Sequence, residues 1–185
     1  MMRGLFDSLC PRVKHRAAGR VALTAATIGL AVFQLCGWFG IRFNLSPSLP
    51  AGIYVTTKAP AGLIEFCPEE PYASLAIDRG YRDEGTCPDG AMPLLKPIVA
   101  RTGDVVDVSA RGIAVNGSLL RNSAPLRVDI KGRPLPAWRF GKYVVAPGTV
   151  WVASSYNPRS FDSRYFGPVP ISAIRDYVLP LLTGW

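Results

Sequence analysis

Three short segments carry residue types able to do acyl-transfer chemistry. The first is Asn44-Leu45-Ser46-Pro47-Ser48-Leu49-Pro50-Ala51-Gly52-Ile53-Tyr54, in which two prolines flank Ser48. Proline fixes its own φ and restricts the residue before it, so this serine sits on a stiff, non-helical turn and is presented rather than packed. A plain Pro-rich juncture is the other reading. The second segment, Leu94-Leu95-Lys96-Pro97-Ile98-Val99-Ala100, puts a lysine inside a strand-like apolar run. Burial disfavours the charged amine and lowers its pKa, and an amine neutral near pH 7 is a general base. At a strand edge the same lysine would snorkel to water instead. The third segment runs from Ser160 through Asp162, Ser163 and Arg164 to Gly167. Its acid and base, two residues apart, can pair, and taken alone it reads as an ordered loop.

The one histidine in the chain is His15. Residues beyond it therefore hold no Ser-His-Asp triad, no Cys-His dyad and no His-ligated metal, and any hydrolytic chemistry there runs without imidazole. A serine nucleophile then needs another base, and a desolvated lysine is the known substitute. Nothing in the sequence calls for a metal, nucleotide or other cofactor.

The elements that must position these residues begin with an apolar run, Val21–Ile41, which carries no charge. About 20 such residues suffice for a membrane-spanning helix. Arg3, Arg12, Lys14, Arg16 and Arg20 precede it against a single acid, Asp7. The positive-inside rule then places residues 1–20 in the cytoplasm and 42–185 outside it. A cleaved secretory signal is the competitor, although the run is longer than the usual apolar core of a signal and no clear small-x-small site follows it. Either way the body is exported. The formal net charge is +8. Half of it lies in the tail, and the rest is spread without a block, so no nucleic-acid groove is expected. In an oxidising compartment Cys67 and Cys87 read as a disulfide. It would close a polar excursion, PEEPYASLAIDRGYRDEGT, too polar to pack on its own account.

Beyond the apolar run, short β-branched segments recur at 52–56, 104–108, 112–115, 142–145 and 149–153, with Asn116-Gly117 where a tight hairpin wants it. The expectation is an all-β, compact antiparallel domain over 42–185, preceded by a basic tail (1–20) and an anchor or signal segment (21–41).

The order Ser, Lys, Asp-Ser-Arg behind an apolar segment resembles the type I signal peptidases, and is more similar to their TraF-type relatives in plasmid conjugation. The resemblance covers residues 20–185. It rests on the N-x-S-x-S-x-P-x-G-x-Y run from Asn44, the Lys-x-x-x-Ala-x-x-Gly-Asp-x-Val run from Lys96, and Asp162-Ser-Arg-Tyr-Phe-Gly; the Cys67-Pro and Cys87-Pro pair also looks like the TraF-type pattern. It implies a signal peptidase-like antiparallel β domain on a single N-terminal transmembrane helix. It also implies a serine endopeptidase in which Ser48 is the nucleophile and Lys96 the general base. Ser46 and the Ser48 backbone N–H would stabilise the oxyanion, Ser160 would orient the lysine amine, and Asp162 and Arg164 would support the loop; Ser46 as nucleophile is the alternative. The implied substrate is a pilin precursor, or another exported protein, met at the periplasmic face of a bacterial inner membrane, with conjugative type IV secretion components as partners. Its acyl-enzyme would be resolved by water or, with cyclisation, by the substrate's own amine. Ser48-Leu49-Pro50 is one residue shorter than the signal peptidase Ser-Met-x-Pro, Lys96-Pro97 replaces the usual Lys-Arg, and Thr102-Gly103-Asp104 replaces Pro-Gly-Asp. Two rival functions remain: a general type I signal peptidase and a non-catalytic scaffold of the mating apparatus.

Overall fold

The computed structural model describes residues 10–184, and within the first helix the side chains from residue 20 onward except 32, 33 and 36. Arg3 and Asp7 of the basic tail therefore lie outside the described residues. Helix α1 (Cys10–Trp38) takes up most of the apolar run, but Gly40 turns the chain at φ 75° and Ile41 already belongs to strand β1 (Ile41–Asn44). At about 1.5 Å per residue, the uncharged part from Val21 to Trp38 reaches about 27 Å, short of the roughly 30 Å of a hydrocarbon core. Among the described residues no helix is long and apolar enough to cross a membrane. The structure thus does not support the expected transmembrane helix over 21–41.

The rest of the chain, Arg42–Trp185, forms a separate compact unit, mostly antiparallel β as expected. After β1 come β2 (Gly52–Thr57), β3 (Leu63–Phe66), α2 (Tyr72–Asp78), β4 (Leu94–Ala100), β5 (Val105–Ser109), β6 (Gly112–Val115), β7 (Ser118–Leu119), β8 (Gly141–Val144), β9 (Thr149–Val152), α3 (Ser163–Phe166), β10 (Val169–Pro170) and β11 (Ile174–Thr183). A seven-stranded sheet runs β1-β2-β11-β3-β4-β9-β10, and a four-stranded sheet runs β7-β6-β5-β8. The Asn116-Gly117 hairpin forms as the sequence indicates, with both residues at positive φ (49° and 84°) between β6 and β7.

Side chains alternate across a strand, and β9 uses that to face two cores at once. Val150 and Val152 point into one cluster with Ile64, Phe66, Leu94 and Phe161, while Trp151 points into a second with Val106, Val108 and Ile113. Strand β11 comes last in the chain yet lies between β2 and β3, paired with both. Its approach is close. A Cβ at Gly52 would sit 2.2 Å from the Leu182 carbonyl oxygen, so the glycine opening β2 makes room for the final strand.

The excursion between Cys67 and Cys87 is closed by a disulfide, with the two Cα atoms 5.8 Å apart. Tied down in this way, the stretch packs. Its helix α2 buries Ala73 and Ala76, and Tyr72 meets the Phe166 ring at 6.0 Å. Arg82, buried, donates to the Met92 carbonyl at 2.7 Å and grips Asp89 with both terminal nitrogens at 2.5 and 3.1 Å. Two alanines, Leu75 and the rings of Tyr72 and Tyr81 give this polar stretch an inner face, and the pairing of Arg82 offsets part of the cost of burying its charge.

Candidate active site

The turn between β1 and β2 is wound around one side chain. Asn44, buried at the end of β1, accepts from the Ser46 N–H through Oδ1 at 3.2 Å. Its Nδ2 donates to the carbonyls of Ser46 (3.3 Å), Leu49 (3.4 Å) and Pro50 (3.1 Å). The Pro50 carbonyl also accepts from the Tyr54 hydroxyl at 2.7 Å. These contacts account for the N-x-S-x-S-x-P-x-G-x-Y spacing: Asn44 and Tyr54 hold the turn from either end, the prolines stiffen it, and Gly52 clears the path of β11. Ser48 lies at the centre, 8% exposed.

Lys96 is delivered from β4. Its neighbour two residues back, Leu94, belongs to the core cluster, and the two-residue period sends Lys96 to the same buried face, opposite Ile64 of β3. The side chain is 4% exposed, and Nζ lies 2.5 Å from Ser48 Oγ, its one hydrogen-bond partner among the described residues. Burial without a counter-ion in contact pushes the amine down to about 8; Asp162 nearby raises it and Arg164 lowers it further. The two segments singled out in the sequence, 48 residues apart, therefore meet in one hydrogen bond.

The third segment folds directly behind. Asp162 and Arg164 are both 0% exposed and pair twice, Nε to Oδ1 at 2.8 Å and Nη2 to Oδ2 at 3.0 Å. The remaining guanidinium donors reach the carbonyls of Asn122 (2.9 Å), Pro158 (2.8 Å) and Ser154 (3.0 Å). Asp162 also caps α3 by accepting from the Arg164 N–H.

Two candidates are placed differently. Ser46 is exposed and engages its neighbours through its backbone. Ser160 is 2% exposed, but its Oγ has no hydrogen-bond partner among the described residues, so the structure does not join it to the Lys96 amine. Two polar contributors escaped the sequence reading, Ser154 and Asn157, and Asn44 stood there as the first residue of a motif without a role of its own. Ser154 Oγ donates to the Ser48 carbonyl at 2.6 Å and Asn157 Nδ2 to the Pro47 carbonyl at 3.1 Å. Two cavities, of about 270 and 240 Å³, are lined by residues other than Ser48 and Lys96; the paired side chains mark the site.

The sequence matches the family described as signal peptidase, peptidase S26, over residues 16–179. It is 36% identical to the plasmid transfer protein TraF of Escherichia coli over 175 residues, covering 92% of this chain and 97% of that one. It is 34% identical to the probable conjugal transfer protein TraF of Sinorhizobium fredii over 179 residues, covering 93% and 92%. A solved signal peptidase I from Enterococcus faecalis V583 aligns at 18% identity over 65% of this chain and 97% of that one, with a TM-score of 0.35. The chain belongs to the signal peptidase family, peptidase S26.

Proposed function

We propose that this member of the signal peptidase family is a serine endopeptidase working through a Ser48/Lys96 dyad, and that it processes an exported protein, a pilin precursor, in conjugative plasmid transfer. The observation that carries the reading is the Lys96 Nζ–Ser48 Oγ contact of 2.5 Å made by an amine pushed down to about 8. The free amine takes the Ser48 hydroxyl proton as Oγ attacks the scissile carbonyl, and returns it to the departing amine. The acyl group then rests on Ser48 until water, or an amine of the substrate itself, attacks the ester and frees the serine. The developing oxyanion meets the Ser48 N–H. Asp162 and Arg164 keep the neighbouring loop in place and take no part in proton transfer.

The conjugative context is supported by the relatives, plasmid and conjugal transfer proteins that match over more than nine-tenths of their own length. The pilin substrate follows from the resemblance of the motifs. Export of the body is supported by the Cys67–Cys87 disulfide and by the basic residues before Val21. The test is mass spectrometry of the conjugative pilin precursor co-expressed with the wild type, Ser48→Ala or Lys96→Ala. Processing by the wild type alone is expected, and a product lighter by one water than the trimmed chain identifies cyclisation. Equal processing by all three overturns the dyad and favours a scaffold; wild-type cleavage of many unrelated secretory precursors favours a general signal peptidase.

A further inference from the structure

The contacts behind Ser48 lead beyond the dyad, and this step rests on Ser48 being the nucleophile. Each of the two peptide planes that meet at Ser48 is held by a side chain from the loop between β9 and α3. The plane after Ser48 is held through the Ser48 carbonyl, which accepts from Ser154 Oγ at 2.6 Å. The direction of that bond is fixed. Ser154 Oγ accepts from the Tyr156 and Asn157 N–H groups at 3.1 and 3.2 Å, so its single proton is left for Ser48. The plane before Ser48 is held through the Pro47 carbonyl, which accepts from Asn157 Nδ2 at 3.1 Å. A trans peptide is planar, with its C=O and N–H pointing opposite ways. Holding the Pro47 oxygen therefore aims the Ser48 N–H, the donor that an oxyanion needs.

Both side chains stand on a rigid base. The Ser154 N–H donates to Asp162 Oδ2 at 3.0 Å, and its carbonyl accepts from Arg164 Nη2 at 3.0 Å. Asn157 fixes its own rotamer, because its Oδ1 accepts from the Arg159 N–H at 2.8 Å.

We propose that Ser154 and Asn157 are positioning residues for the reaction: Ser154 sets the place of the Ser48 hydroxyl, and Asn157 sets the direction of the Ser48 N–H as oxyanion donor. The buried Asp162–Arg164 pair acts on catalysis through them. Misplacement of a reacting group by about 1 Å costs on the order of 100-fold, which sets the scale expected here.

Asn157→Asp is the cleaner variant. It keeps the oxygen that accepts from Arg159 and replaces only the donor facing Pro47. The full chain is assayed on an internally quenched peptide spanning the pilin cleavage site, with Ser154→Ala, Asn157→Asp and Ser48→Ala beside the wild type. Expected are falls in kcat on the order of 10- to 100-fold for Asn157→Asp and Ser154→Ala, with KM within about twofold and with the wild-type melting curve retained by Asn157→Asp. Wild-type kcat in Asn157→Asp overturns the proposal, as does a fall in kcat matched by loss of folded protein, or one expressed only in KM. Full activity in Ser48→Ala removes the nucleophile reading itself, a result distinct from any of these.

Discussion

Lys96 and Arg164 are two buried cations in one neighbourhood, and the protein treats them in opposite ways. Arg164 is surrounded: a carboxylate takes two of its bonds and backbone carbonyls take the rest, so its charge is satisfied at zero exposure. Arg82, gripped by Asp89 and the Met92 carbonyl, follows the same plan. Lys96 has one neutral hydroxyl and nothing more among the described residues. A paired buried charge becomes a structural bolt, whereas an unpaired one gives up its proton readily, as the proposed base must. The guanidinium suits the first role because it stays charged and presents five donors; the amine suits the second because its pKa moves.

Replacing each cation with methionine sharpens the contrast. Arg164→Met leaves Asp162 buried and uncompensated, at an expected loss of about 3–5 kcal/mol of stability, read as an early denaturant midpoint. Lys96→Met removes an amine that folding had to desolvate. Its midpoint should equal or exceed the wild type's, while peptidase activity falls to background. A destabilised Lys96→Met, or a stable Arg164→Met, breaks the comparison.

The pH dependence follows from the same difference. With Lys96 at about 8 in the folded protein, activity should rise with pH through about 8 and then level off. Lys96→Arg should be inactive throughout. Stability responds as well. The unfolded lysine, with its ordinary value of 10.5, binds a proton that the folded one has released, so the Lys96 contribution to stability grows between about pH 8 and 10.5. Chemical denaturation across that range, with Lys96→Met as the reference, reads the slope. An activity profile flat from pH 6 to 10 contradicts the assignment of Lys96 as base. The smallest effect is expected at Lys58, whose side chain is 98% exposed and stands 3.8 Å from Asp176. Lys58→Ala should change neither activity nor melting temperature, because exposed pairs contribute little.

How much of this was legible in the sequence depends on how local each cause is. Ser48, Lys96 and the Asp162/Arg164 segment stood out because residue type and immediate surroundings define them: prolines beside the serine, aliphatic neighbours around the lysine, and an acid and a base two apart. The strands near 52, 105, 112, 142 and 149 were visible through β-branched runs between turn residues. Strand β11 was not, because Pro180 interrupts its pattern and a register shift follows it. Helix α2 was hidden by its polar surroundings, since the face it buries is mainly two alanines. Ser154 and Asn157 left no trace at all. Their partners lie 106 and 110 residues away and are backbone carbonyls, which every residue possesses. The apolar run showed hydrophobicity but not where the helix would stop, and Gly40 ends it early.

In the proposed mechanism Ser48 becomes acylated because Lys96 removes its proton. A peptide ester carrying the pilin cleavage sequence, incubated with wild type and with Lys96→Met at pH 9, quenched in acid and digested with trypsin, puts this to direct measurement. Expected is a wild-type fragment heavier by the acyl group, with fragmentation spectra placing the adduct on Ser48 rather than Ser46, and no adduct in Lys96→Met. An adduct on Ser46, or equal acylation of Ser48 in the two proteins, would contradict it.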